Sequence, residues 1–499
     1  MRQLLTYFLK TGLFLLTLLP LGCNSFLDKV PQGNLTQQNF PENADEALLA
    51  TNAVYNTLRN WYFNSGGYPI LDIMSDDANK GSNPSDQAST IGPYDNFTIT
   101  TSQDGLDRWW NALYEGIKRA NVVIEKVPAI QMDEGLKNRY IAEAKFLRAL
   151  YYFDLVRAWG GVPLITSITP PLTLARSSRE ETYSLIEADL LFAIDHLFDK
   201  TQYSPPDIGR ATKGSAQSML AKVYMFENDF TNAVNYSQAV INSGLYSLDP
   251  DFSHIFSIEG QFNNESVFEV GAIGQEGPEK GGNQYANTQG VRGSPNLGWG
   301  FNRPSIDLMN SFSPDDPRKD ATIIFLNEVL DGITILGDGS TPDVTYTDQT
   351  QTTVKEIECY NQKVFVPSSG TTATWGDNRK LIRYADVLLM AAEALNETGN
   401  SSQALTYLNE VRARARGSNT SNLPDITETN KDLLRDIIIN ERRYELAMEG
   451  HRFWDLVRTN KAAQVLGNLG FMAGKNELFP IPQIEIDISQ GTLEQNPGW

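Results

Sequence analysis

The chain has 499 residues, 41% of them hydrophobic, and a formal net charge of −20. That length and apolar content suffice for two or three domains around a large core, and the acidic surface repels phosphate backbones, which argues against a nucleic-acid partner. Two cysteines, Cys23 and Cys359, leave no thiolate metal site.

The first 23 residues carry a targeting signal. Arg2 and Lys10 precede an uncharged run from Thr11 to Leu21, which stops at Gly22-Cys23. A basic start, a short apolar stretch and a small residue before the cut describe a removed leader. A cysteine just after the cut marks a bacterial lipoprotein signal, so Cys23 is the expected lipidation site. Pro20 stands three residues before it, where Leu is usual. The apolar run is too short to span a hydrocarbon core of about 30 Å. Residues 1–22 are therefore read as the leader, and the body as tied to a membrane through lipid. Removing them takes away Arg2 and Lys10 and no acid, so −20 becomes −22. With Cys23 acylated, no internal disulfide is possible. Residues 23–40, polar and carrying Pro31 and Gly33, read as a tether. No later stretch has 18 consecutive apolar residues.

Residues 41–243 read as a helical region. Tyr140, Ala144, Leu147, Tyr151 and Leu155 recur every three or four residues over 134–158, and Gly160-Gly161 and Pro163 follow. Over 178–197, Ser178 and Glu181 form a capping box, and Tyr183, Ile186, Leu190, Ile194 and Leu197 form the buried stripe. Two segments, 214–243 and 385–416, carry the small and large packing residues of a tetratricopeptide-like helical hairpin. They are Ala221, Tyr224, Phe230, Ala233 and Val240 in the first, and Ala392, Leu395, Ala404 and Val411 in the second. Small residues let antiparallel helices approach, and Asn228-Asp229 or Gly399 turns the chain.

Residues 244–380 differ. Ten glycines fall between Gly260 and Gly300, and Asp331-Gly332, Asp338-Gly339 and a threonine-rich stretch follow. This is loop and short-strand material inserted between helical blocks. Residues 381–499 return to helical periodicity. In 432–458 the pairs Glu449–Arg452, Arg452–Asp455 and Asp455–Arg458 are spaced as helical neighbours and read as structural ion pairs.

Enzyme signatures are missing. The three histidines, His196, His254 and His451, are far apart, and there is no His-Glu-x-x-His, no Gly-x-Ser-x-Gly and no phosphate loop. His451 reads as a packed core histidine. A pair of carboxylates about 5–10 Å apart would suit glycoside hydrolysis, and Asp76-Asp77 is the pair to test for it. Asp77-x-Asn79-x-Gly81 resembles the start of a calcium loop but lacks the glutamate at the twelfth position; a structural calcium is a weak expectation, and no other cofactor is expected.

Five stretches resemble the SusD/RagB family of outer-membrane nutrient-binding lipoproteins. They are the Gly22-Cys23 leader with Phe26-Leu27-Asp28, then 142–165 (AEAKFLRALYYFDLVRAWGGVPLI), then 210–226 (RATKGSAQSMLAKVYMF). The fourth runs from Ile382 (IRYADVLLMAAEALNETG) to Arg416, and the fifth from Glu441 (ERRYELAMEGHRFWDLVR) to the end. The resemblance implies a mainly α, tetratricopeptide-like scaffold with an irregular part that holds the ligand site. It also implies a cell-surface lipoprotein seated on a SusC-like TonB-dependent transporter, binding glycans or in some branches peptides, without catalysis.

A sugar ring has a polar rim and apolar C–H faces, so its site wants flat aromatic platforms edged by Asn, Asp, Arg or Gln. Two stretches offer these. One holds Asp72, Asp76, Asp77, Asn79, Tyr94, Asp95 and Asn96. The other holds Asn283, Tyr285, Arg292, Asn296, Trp299 and Asn302, with glycines flanking Trp299. Trp109, Trp110 and Trp454 lie in helix-like contexts and are expected in the core.

Overall fold

Among the described residues, a chain this rich in helical periodicity forms ten helices of seven residues or more, numbered in order. They are α1 (Ala44–Asn56), α2 (Asp104–Lys126), α3 (Glu134–Trp159), α4 (Arg179–His196), α5 (Lys213–Glu227) and α6 (Phe230–Asn242), then α7 (Tyr384–Glu397), α8 (Ser401–Arg416), α9 (Lys431–Leu446) and α10 (Arg452–Arg458). The structure, a computed structural model, describes residues 40–64, 72–171, 173–274, 284–339, 344–347, 353–366, 376–419 and 421–499. The leader, Cys23, the tether up to residue 39 and Asn283 lie outside the described residues.

Helix α3 begins where the Asp133 side chain accepts from Leu136 N, and ends at Gly160, whose φ is 74°. Gly161 is held by close packing, since a Cβ there would lie 2.1 Å from Ser177 O. The sequence stripe marks one apolar face, yet α3 is buried on nearly every side because α1, α2 and α4 all pack on it. Its charged residues therefore work inside the protein. Arg148 donates to Asp189 of α4 (2.7 Å) and to Asn121 of α2 (2.7 Å), clamping three helices through one guanidinium. Helix α4 starts with the expected capping box, Ser178 accepting from Glu181 N and Glu181 accepting from Ser178 N.

Both helical hairpins form. Asn228 turns left-handed (φ 60°) between α5 and α6, and Gly399 (φ 88°) does so between α7 and α8. Ala221, Ala233, Ala392 and Ala404 are fully buried where the paired helices meet. Helix α6 packs on α7, and α7 also packs on α9, so the hairpins join into one layered stack. Leu388 of α7 and Leu408 of α8 are wholly buried there; truncating either to alanine costs about 2–5 kcal/mol.

The intervening region supplies short antiparallel ladders, each of two strands. The strands used below are β1 (Ala78–Gly81), β2 (Ser266–Val270), β3 (Phe301–Pro304), β4 (Ile323–Phe325), β5 (Cys359–Asn361) and β6 (Arg379–Arg383). They pair β1 with β3, β2 with β6, and β4 with β5. The β6 end carries Arg383 into a buried charge network. Its guanidinium meets Glu265, Glu445 and Glu449, while Lys363 meets Glu449 at 2.7 Å and Arg318 meets Glu441 at 2.7 Å.

That network corrects the helical-neighbour reading of 432–458. The helix breaks between α9 and α10, where Met448 (φ 65°) and Gly450 (φ 80°) turn left-handed. Glu449 therefore reaches Arg383 and Lys363, not Arg452, and Arg452 reaches back to Asp76. Only Asp455–Arg458, inside α10, keeps the expected spacing, at 2.7 Å. His451, at the break, is only partly buried. Burial, with the Lys222 charge, pushes its imidazole down to about 3.

Candidate functional site

The β1–β3 ladder joins the two stretches singled out for ligand binding. Asn79 lies opposite Arg303 and Gly81 opposite Phe301, and Ser82 N donates to Gly300 O (2.6 Å). Gly81 has φ 72°, and a Cβ on it would fall 2.5 Å from Gly300 O. The loop before β3 is folded on itself, with Trp299 N donating to Asn287 O (2.8 Å) and Gly300 N to Gly290 O (3.0 Å). Gly298 permits this, since a Cβ there would meet Asn287 O at 2.5 Å. Gly298 thus serves backbone packing and Gly300 a left-handed turn (φ 71°), and together they fix the indole.

Trp299 is half-buried, and its ring stands 5.3 Å from that of Trp61 at an interplanar angle of 36°. Trp61 opens a short helix, Trp61–Asn64, that follows α1, and Asn60 Oδ1 accepts from Tyr62 N (2.9 Å). Tyr62 lies beside Trp61, rings 6.2 Å apart and 23° from parallel. Around these rings opens a cleft of about 410 Å³ lined by Trp61, Tyr62, Asp86, Gln87, Thr90, Asp104, Gly105, Trp299 and Phe301. Aromatic faces and a carboxylate-and-amide rim share one cavity, the combination a sugar requires. Trp61, Tyr62, Asp86, Gln87, Thr90, Asp104 and Phe301 were not among the residues picked from sequence as ligand contacts. The available signal was the Trp-Tyr-Phe run at 61–63, bracketed by Asn60 and Asn64 just after a helix.

The other sequence candidates stand behind or beside the cleft. Asp76 is tied by both carboxylate oxygens to Arg452 (2.8 Å each) and by one to Arg443 (3.0 Å). Burial alone would raise its carboxyl, but the hydrogen bonds and charge of Arg452, with Arg443, hold it below the usual range. Asp77 is fully buried and pairs with Arg443 at 2.6 Å. These two acids face the half-buried Arg443 of α9 and the buried Arg452 of α10 rather than an open site, which corrects the view of them as a hydrolytic or ligand-binding pair. Asp77 leads directly into strand β1, on which Asn79 lies. Among the described residues no group of three His, Cys, Asp or Glu is placed to hold a metal.

Asp72 is buried, accepting from Gly450 N (2.9 Å). Desolvation, with the Asp77 charge, pushes its carboxyl up to about 8. Tyr94 is fully buried, its hydroxyl against Gly105 on the reverse of the cleft wall. Tyr285 is buried with its ring 5.4 Å from the Arg379 guanidinium. For these three, burial replaces the expected ligand contact. Asn79 is half-buried on β1, and Asn302 is fully buried, donating to Gln289 (2.8 Å). Asn96 is exposed and caps its own turn by accepting from Thr98 N (3.2 Å), while Asn296 is exposed on the loop before Trp299. Arg292 stands beside the cleft rim, reaching Ser82 Oγ, Asp86 (3.4 Å) and Asp338 (3.3 Å). Trp109, Trp110 and Trp454 are core residues, 0%, 3% and 3% exposed, as their helical contexts implied.

Comparison with known proteins agrees with this architecture. The model of the SusD family matches residues 264–470, and a second, described as starch-binding associating with outer membrane, matches residues 25–225. A solved laminarin-binding SusD-like protein is 32% identical, with a TM-score of 0.77 over 92% of this chain and 100% of its own. A SusD homologue from Bacteroides thetaiotaomicron is 27% identical, with a TM-score of 0.79 over 93% of this chain and 98% of its own. SusD-like protein P2 of Formosa agariphila is 29% identical over 98% of this chain and 99% of its own. The chain belongs to the SusD family, and its fold is the mainly α, tetratricopeptide-like scaffold expected from the sequence.

Proposed function

We propose that this protein captures oligosaccharide or polysaccharide at the cell surface in the Trp61–Trp299 cleft and delivers it to a SusC-like TonB-dependent transporter. One observation carries the reading: two half-buried indoles meet at 36° on the wall of a cleft rimmed by Asp86, Gln87, Thr90 and Asp104. Indole faces cover the apolar C–H faces of a pyranose, and the rim supplies acceptors and donors for its hydroxyls. Rings of this stiffness lose little entropy on stacking. The laminarin-binding relative supports a glycan as the ligand.

Anchoring follows from the leader. Acylation of Cys23 and a tether would hold the body at the outer membrane, and no helix among the described residues is long and apolar enough to cross a membrane. The family description of association with the outer membrane supports that placement. Binding without turnover fits the site, because Asp76 and Asp77 are paired with arginines and a matching family model is described as starch-binding.

Affinity electrophoresis through gels containing single polysaccharides tests the reading. Retardation by at least one glycan, lost in Trp61→Ala and Trp299→Ala, supports it. Retardation unchanged in both variants contradicts the cleft; release of shorter sugars by the pure protein contradicts the absence of catalysis. Capture of peptides alone would favour the peptide-binding branch of the family.

A further inference from the structure

Resting on the glycan reading of the cleft, we infer that the site selects uncharged polysaccharides and rejects sulfated or uronate-rich ones. Among the described residues, none that lines the cleft is Lys or Arg, while two, Asp86 and Asp104, are acids with side chains 39% and 59% exposed. A carboxylate only accepts hydrogen bonds. Sugar hydroxyls can donate to it, whereas a sulfate ester or uronate brings another acceptor-only anion into the same space.

Among the described residues, the cations around the cleft are committed to the protein. Lys80 lies below Phe301, 5.6 Å from the ring centre. Its ammonium donates to the carbonyls of Gly81 (2.8 Å), Asn83 (3.0 Å) and Asp86 (2.9 Å). Arg292 is divided between Ser82, Asp86 and Asp338. Arg108 donates through Nε to both oxygens of Asp104 (2.9 and 2.8 Å), with its guanidinium 5.1 Å from the Tyr62 ring centre. Asp107 adds a further acid beside Asp104, and burial together with the Asp104 charge holds its carboxyl above the usual range. Anion recognition by proteins uses arginine forks or clustered lysines turned towards the ligand. Here the arginine forks are turned onto Asp338 and onto the rim acids Asp86 and Asp104 themselves, so the rim is charge-balanced and an added anion meets no unpaired cation among the described residues. The chain as a whole carries −20, so the long-range field also opposes a polyanion.

The test uses the full chain with laminarin and soluble starch, each in three forms: native, sulfated, and O-methylated to the same degree. The methylated form separates added bulk from added charge. Binding is measured by titration calorimetry at low and high salt. We expect the sulfated form of the bound polymer to bind at least about tenfold more weakly than the methylated form at low salt. We expect the gap to shrink at high salt and in Asp86→Asn/Asp104→Asn. Sulfated polymer binding as tightly as the methylated one, and still released by Trp299→Ala, overturns the selection for neutral chains and leaves the cleft intact. Native polymer binding unchanged in Trp61→Ala/Trp299→Ala overturns the cleft reading, and this inference with it.

Discussion

Replacing Asp76 by alanine distinguishes a structural acid from a ligand-binding or catalytic one. Asp76 is 9% exposed and closes a bidentate pair with Arg452, itself 8% exposed, while Arg443 approaches at 3.0 Å. Removing the carboxylate leaves the buried Arg452 guanidinium short of its counter-charge, and breaking such a pair costs about 3–5 kcal/mol. Arg443 keeps Asp77 at 2.6 Å, so the loss falls mainly on Arg452 and the expected value lies toward about 3 kcal/mol. Urea unfolding followed by tryptophan fluorescence reads this directly. Asp76→Asn should lose nearly as much, because the amide keeps the shape and removes the charge. Arg452→Met should recover part of the loss when combined with Asp76→Ala, giving a coupling energy above about 1 kcal/mol. The folded Asp76→Ala protein should bind the same glycans with unchanged affinity. An unchanged unfolding midpoint together with lost binding would refute the reasoning, since it would put Asp76 in contact with ligand.

Gly81→Ala should both destabilise the protein by about 1–3 kcal/mol and weaken glycan binding, because its Cβ would strike Gly300 O in a left-handed position and displace the Trp299 loop; unfolding and binding curves on one preparation check this. Acid should destabilise the fold between pH 4.5 and about 2. Burial would raise the Glu449 carboxyl, but Arg383 and Lys363 hold it down to about 2, so its stabilisation is complete above the unfolded value of 4.5 and is lost as pH falls through the folded one; Glu449→Gln should flatten that part of the pH profile. Asp72 runs the other way. Its carboxyl is pushed up to about 8 from 3.8, so stability falls as pH rises across that interval, and Asp72→Asn should raise the unfolding midpoint at pH 8 relative to wild type.

The helical frame was legible because its signals are local. A capping box at Ser178, glycine and proline after Trp159, and alanines at the contacts of two hairpins each act within a few residues. The ladder between β1 and β3 was not legible, since nothing in either short segment specifies a partner so distant in the chain. That pairing sets the site: it carries Trp299 to Trp61. The expected acids failed as ligand contacts for a related reason. Asp76 and Asp77 sit in polar, turn-like sequence, and their burial depends on Arg443 and Arg452, which arrive from the far end of the chain. Arg452 in turn looked like a helical partner of Glu449, because the left-handed turns at Met448 and Gly450 that separate them carry only one glycine as a warning. Trp299 was legible through its glycines, although Gly298 serves a close backbone contact and Gly300 a left-handed turn.

The central claim is that the two facing indoles hold a carbohydrate chain. Isothermal titration of the intact protein with laminarin and starch oligosaccharides, beside Trp61→Ala, Trp299→Ala and the double variant, addresses it most directly. The account predicts saturable binding to at least one of these sugars, weakened about tenfold or more in each single variant and abolished in the double, with unfolding midpoints close to wild type. Equal affinity in wild type and double variant would contradict it.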